Sequence, residues 1–134
     1  MGLIVDTNVF IKFEKRNSPI VLPSLAESDE AFISAITVSE LLVGVHRANT
    51  EERRQRRAAF VEAILRVFPV LDFTMSIART HAEIQAHLAK AGLTIGHHDL
   101  IIAATARHYD HALHTDNTDE FSRVPGLRII PFTA

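Results

Sequence analysis

The chain contains no cysteine, which removes disulfides and every cysteine-ligated metal site and points to a reducing compartment such as the cytoplasm. No apolar run approaches the ~20 residues that a membrane-spanning helix requires. A leader pattern is also missing, since the first apolar stretch, Leu3 to Val5, stops at Asp6 with no basic segment before it. Nor is there a basic excess: 14 Lys and Arg stand against 16 Asp and Glu, for a net charge of −2. That balance argues against a protein that coats nucleic acid through a general positive surface. A nuclease stays open, because a few acids gathered at one site can offset a basic rim in the total.

What is present is a globular composition. With 47% hydrophobic and 22% charged residues over 134 positions, the chain can bury a core and reads as one domain spanning 1–134. Neither a repeat nor a linker interrupts it. Short apolar runs alternate with amphipathic stretches. Residues 2–5 predict a buried strand, and Val9, Phe10 and Phe13 predict a helix from Thr7 to Lys15. Ala31 to Ile36 predicts a second strand, with Thr37 opening the next helix. Glu51 to Phe68 predicts a long helix, Pro69 to Phe73 a third strand, and Met75 to Ala91 a helix stopped by Gly92. His98 to Tyr109 is apolar almost all round, the mark of a buried helix. Ala112 to Thr115 and Leu127 to Phe132 complete the strands, with a turn-rich stretch at 116–120 between them. Strands that are continuously apolar and alternate with helices predict an α/β fold, a parallel sheet covered by helices on both faces.

The acids fall at telling places in that pattern. Asp6 ends the first strand, Glu40 follows the second, Asp99 lies in the first turn of the apolar helix, and Asp116 follows the fourth strand. The carboxyl ends of parallel strands form the ligand crevice of such sheets, so acids from four distant segments can meet there. Two carboxylates ~4 Å apart repel by about 4 kcal/mol at an effective dielectric near 20. A cluster of four therefore calls for a cation, and oxygen donors select Mg²⁺ or Mn²⁺. Phosphodiester hydrolysis is the natural chemistry of such a centre. Each acid also has a local explanation. Thr37-Val38-Ser39-Glu40 has the form of a capping box, Asp6 and Asp116 of helix N-caps, and Asp99 of a first-turn acid favoured by the helix dipole.

Four stretches together resemble the motifs of PIN-domain proteins: Ile4-Val5-Asp6-Thr7-Asn8, then Ile36-Thr37-Val38-Ser39-Glu40-Leu41-Leu42-Val43-Gly44, then His98-Asp99-Leu100 with the apolar run behind it, and Thr115-Asp116-Asn117-Thr118-Asp119-Glu120-Phe121. With Val124-Pro125-Gly126-Leu127 before the last strand, the resemblance spans the chain and is strongest to the VapC-type toxins of toxin–antitoxin pairs. It implies a five-stranded, three-layer fold and an Mg²⁺-dependent endoribonuclease acting on RNA, with Asp6, Glu40 and Asp99 as the acidic core. A homodimer is implied too, as is a small VapB-like antitoxin whose tail blocks the site. Thr7 and Asn8 would orient Asp6 and the metal shell. In many relatives the last acid stands two residues after the Thr, where this chain has Asn117; Asp116 is expected to be the fourth acid, with Asn117 or Asp119 as substitutes.

The same sequence admits rival functions. One is another metal-assisted enzyme of phosphate chemistry, a DNA nuclease or a phosphatase, which a substrate panel would separate. The other is a non-catalytic RNA-binding module, whose sign would be loss of the core acids. Arg53, Arg54, Arg56 and Arg57 either meet RNA phosphate or form the solvated face of their helix. The eight histidines show no zinc spacing, though His97 and His98 flank the expected site. Val9, Phe13, Leu42 and Val45 are either contacts for an antitoxin tail or core.

Overall fold

The computed structural model describes residues 2–23 and 29–133. The elements run β1 (Leu3–Val5), α1 (Thr7–Arg16), β2 (Ala31–Ser34), α2 (Ala35–His46), α3 (Glu51–Val67), β3 (Val70–Leu71), α4 (Met75–Lys90), α5 (His97–His108), β4 (Ala112–Thr115), α6 (Thr118–Phe121) and β5 (Ile129–Pro131). All strands pair in parallel, in the order β3-β2-β1-β4-β5. Among the described residues no helix is long and apolar enough to cross a membrane.

Side chains alternate across a strand, and here both faces are buried. Leu3 and Val5 of β1 pack with Val9, Phe10, Leu41 and Ile64 from α1, α2 and α3. Ile4 between them packs on the other face with Ile77, Ile84, Ile102 and Phe121 from α4, α5 and α6. A strand with two buried faces must be apolar without interruption, which is why β1 reads Leu-Ile-Val. The all-apolar helix is α5, with Leu100 and Ile102 to Ala106 buried. Gly92 takes a positive φ of 70° after α4, and Leu93 N–H returns to Leu88 O at 2.9 Å, the Schellman stop anticipated at that glycine.

The second helix departs from the sequence expectation. It begins at Ala35, capped by Ser34, whose Oγ accepts from Ile36 N–H. The capping-box reading of Thr37 and Glu40 is therefore overturned: Thr37 lies inside α2 and is fully buried. Part of the turn-rich 116–120 stretch also condenses into the short helix α6.

From β1 the chain moves outward to β2 and β3 in one direction, then returns to the other side of β1 for β4 and β5. This reversal between β1 and β4 creates the crevice at their carboxyl ends. Asp6 sits directly beyond β1, and its N–H is held by His114 O of β4 at 2.9 Å.

Candidate active site

Asp6 is the N-cap of α1, and Oδ1 accepts from Thr7 N–H at 2.8 Å. Oδ2 accepts from the Thr115 hydroxyl at 2.7 Å. The residue is only 3% exposed. Two hydrogen bonds fix its plane and leave a lone pair on each oxygen for a ligand.

Glu40 reaches the same place from α2. Thr7 Oγ1 lies 2.7 Å from Glu40 Oε1 and 2.9 Å from Thr37 Oγ1. An ionised carboxylate can only accept, so the Thr7 proton goes to Glu40 and the Thr37 hydroxyl donates to Thr7. His98 Nδ1 stands 3.4 Å from Glu40 Oε2, which puts that imidazole at the rim, where its neighbour His97 opens α5.

Asp99 projects from the first turn of α5, where the helix dipole favours negative charge. Facing it is Glu120 of α6, and the two share a hydrogen bond between their side chains. Glu120 is anchored on its far side. Oε1 accepts from Gly96 N–H and Oε2 from Asn117 Nδ2, both at 2.6 Å. The N–H of Asn117 in turn donates to Thr115 Oγ1 at 2.9 Å. A continuous chain of bonds thus joins Asp6, Thr115, Asn117 and Glu120.

The electrostatics follow from this crowding. Burial pushes the Asp6 carboxyl up to about 6, against hydrogen bonds from Thr115 and Thr7 that pull it down, with further repulsion from Glu40 and Glu120. Asp99 rises to about 7, first through burial and then through the charges of Asp6, Glu120 and Glu40. Glu120 goes the other way, because Gly96 N–H stabilises its ionised form most. Near neutral pH the Asp99–Glu120 pair retains a proton for part of the time. That proton marks charge the protein itself does not neutralise.

The residues fit a hard divalent cation. Every donor converging here is a carboxylate oxygen, and repulsion is relieved either by a proton or by a metal. Among the described residues no group of three or more His, Asp or Glu side chains is placed to hold a metal ion as it stands. Mg²⁺ keeps several of its waters and needs only one or two protein carboxylates. Asp6 and Asp99 are the best placed to hold it, with Glu40 and Glu120 beside them.

Asp6, Glu40 and Asp99, expected from the sequence, converge. Asp116 does not join them: it is exposed and its carboxylate forms an ion pair with Lys12. Its backbone N–H donates to Asn8 Oδ1 at 3.3 Å, so Asn8 braces the corner after β4 while Thr7 braces both Asp6 and Glu40. Asp119 is exposed. Asn117 takes part as a donor to Glu120 and not as an acid. Sequence reasoning missed Glu120 altogether. A local signal existed: Glu120 stands three residues after Asn117 and directly before Phe121, which is fully buried and fixes the rotation of α6.

Comparison with known proteins places this geometry in context. The PIN domain family model matches residues 3–127. The chain is 38% identical over 130 residues to "Ribonuclease VapC" of Rickettsia bellii, covering 97% of this chain and 96% of that protein. It is 33% identical to the "tRNA(fMet)-specific endonuclease VapC" of Shigella flexneri, covering 96% of each. Its fold is similar to the crystal structure of VapBC2 from Rickettsia felis bound to a promoter DNA fragment, with a TM-score of 0.84, 26% identity, and coverage of 99% of this chain and 100% of that one.

Proposed function

The chain belongs to the PIN-domain family, and from that footing we propose that it is an Mg²⁺-dependent endoribonuclease, the toxin of a pair whose second member is a small VapB-like antitoxin. The observation that carries the reading is the meeting of Asp6, Glu40, Asp99 and Glu120 at one end of the sheet, with Asp99 raised to about 7 by burial and by its neighbours' charge. Acids so placed destabilise the fold unless a cation or protons relieve them, and an active site is where that cost is accepted. The names of the relatives, ribonucleases and a tRNA endonuclease, support RNA as the substrate. The antitoxin is supported by the two-component complexes among the similar structures. A homodimer belongs to the same reading.

When bound, the ion supplies charge neutralisation at the phosphate and activation of water. The protein's own residues do the positioning. Thr7 and Thr115 fix the Asp6 carboxylate, Thr7 also fixes Glu40, and Asn117 with Gly96 fixes Glu120. Asp99, raised to about 7 first by burial and then by the charges of Asp6, Glu120 and Glu40, ionises more readily the more positive charge the site holds. His98 stands exposed at the rim, its Nδ1 3.4 Å from Glu40 Oε2.

The test is cleavage of total RNA, single-stranded DNA and a phosphomonoester by the purified chain with Mg²⁺, with Mn²⁺ and after chelation. RNA cleavage that disappears on chelation and returns with either ion is the expected result. Cleavage that survives exhaustive chelation, or a preference for DNA, overturns the reading.

A further inference from the structure

The arginines of α3 are engaged close to home. Arg54 pairs with Glu51, Arg56 lies 3.5 Å from Glu52, and Arg53 Nη1 donates to Asn49 Oδ1. Lys12 differs, because its partner lies 104 residues away. Its ammonium pairs with the Asp116 carboxylate, and both side chains are 37% exposed.

The place of this pair follows from helix geometry. Side chains lean toward the N-terminus of their helix, so Lys12, in the second turn of α1, reaches back to the level of Asn8. Asn8 Oδ1 accepts the Asp116 N–H at 3.3 Å. One face of α1 thus grips Asp116 by its backbone and by its side chain. Asp116 directly follows Thr115, whose hydroxyl holds Asp6, so the Lys12 ammonium stands at the β4 rim of the carboxylate crevice. It remains outside the cluster, since it is not among the charges that shift Asp6 or Asp99.

Phe132 lies under the same rim, and its N–H donates to Thr115 O at 2.7 Å. Lys12 Nζ is 5.8 Å from the centre of that ring, and Cζ of exposed Arg16 is 5.6 Å from it. Phe13 and His114 meet the ring edge-on and hold it in place. On the far side of the crevice Arg123 is occupied, donating to Thr94 O at 2.8 Å.

A polyanion entering the crevice meets the carboxylates of Asp6, Glu40, Asp99 and Glu120, which outnumber the charges of one Mg²⁺. Its approach needs a cation at the rim. An exposed ion pair contributes little to the fold, whereas a lysine that moves onto an RNA phosphate also releases the counterions condensed there. We propose that Lys12 is a substrate-binding residue: it leaves Asp116 and holds a backbone phosphate flanking the scissile one. Arg16 stands about 6 Å further along the same face of α1, on the path the strand takes from there. The proposal rests on the ribonuclease reading. A protein carboxylate is the poorer match, because Lys12 already has one in Asp116 and gains nothing by exchanging it.

The test is the kinetics of a fluorescent oligoribonucleotide, carrying a site mapped from the parent's cleavage of total RNA, at saturating Mg²⁺. Lys12→Gln should raise KM about tenfold, change kcat by less than about twofold, and lower the slope of log kcat/KM against log salt by about 0.7. Lys12→Arg keeps the charge and should restore both KM and slope. Asp116→Asn breaks the same ion pair from the other side, yet its KM should equal the parent's or fall below it. Circular dichroism and Tm report folding, and Lys12→Met, which keeps the apolar stem over Phe132, replaces the Gln variant if that one is destabilised. Equal rises in KM from Lys12→Gln and Asp116→Asn would make the pair a structural brace and overturn the proposal. Failure of the parent to cleave RNA overturns the ribonuclease reading, and this proposal with it. Cleavage by the parent with an unchanged KM in the folded Lys12 variants overturns the phosphate contact alone, and weaker binding of the small protein encoded beside this chain would then assign Lys12 to that partner.

Discussion

Asn117 donates its side-chain amide to Glu120 at 2.6 Å, and this bond turns the fourth carboxylate toward Asp99. An aspartate at position 117 would present a second acceptor at that distance and repel Glu120. The amide and the glutamate are therefore a matched choice: the chain places its acid one α6 turn later than a Thr-x-Asp pattern would. Asn117→Asp should accordingly lose RNA cleavage by about 10–100-fold even though it adds an acid. Raising Mg²⁺ should recover part of that loss. Activity equal to the parent at limiting Mg²⁺ would show that the pairing has no role.

Glu120 and Asp116 make opposite predictions. Glu120→Gln removes charge from the cluster and should weaken apparent Mg²⁺ affinity by roughly tenfold or more. Asp116→Asn breaks an exposed pair with Lys12, worth about 0–1 kcal/mol, and should change activity by less than about threefold. Mg²⁺ titrations of cleavage on the two variants decide between them. The reverse ranking would return the fourth acid to Asp116.

How far the sequence revealed this arrangement depends on whether the cause was local. Leu3-Ile4-Val5 declared a doubly buried strand because both its faces had to be apolar, so Asp6 was legible as a strand-end acid. The buried run Ile102 to Ala106 declared α5, which put Asp99 in a first turn. Glu120 was hidden because α6 has four residues, too few for periodicity to show. Thr37 was misread for a different reason. A Thr followed three residues on by Glu looks like a cap, but its hydroxyl is committed to Thr7, 30 positions away. Ser34 caps α2 instead, and Ala35, a good helix former, extends the helix backward by a turn.

The raised carboxyl of Asp99 links its ionisation to stability. Its folded value of about 7 lies above the ordinary 3.8, so between those values the folded chain holds a proton that the unfolded chain has released. That contribution to stability is present at low pH and is lost as pH rises toward and through 7. His81, His111 and His114 oppose it, since burial holds them below 6.5 and their contribution is lost as pH falls. The clean measurement is therefore the difference in Tm between Asp99→Asn and the parent, both metal-free. It should be small near about pH 4 and favour the variant at about pH 8 by 1–2 kcal/mol, the full shift being discounted for partial exposure. For a chain of this size that is about 5 °C. Saturating Mg²⁺ should shrink or invert the difference. A difference that does not vary with pH would remove the case for a strained carboxylate.

Thr7 offers the sharpest test of positioning, because it holds two of the acids, Glu40 through its hydroxyl and Asp6 through its backbone N–H, but is not itself an acid. Its hydroxyl donates to Glu40 and accepts from Thr37, while its backbone N–H holds Asp6. Thr7→Val keeps the shape and the backbone bond but leaves Glu40 without its donor and buried Thr37 without an acceptor. The loss should cost about 1–3 kcal/mol of stability. Cleavage should fall by about 10–100-fold, seen first in the Mg²⁺ concentration required and less in the RNA concentration required. Thr7→Ser restores the hydroxyl and should recover most of the activity even if the lost methyl leaves the fold less stable. A purely structural role predicts otherwise: activity would track Tm, and Ser and Val would rank by packing. If Thr7→Ser is as inactive as Thr7→Val at matched folded fractions, the hydroxyl is not what positions Glu40.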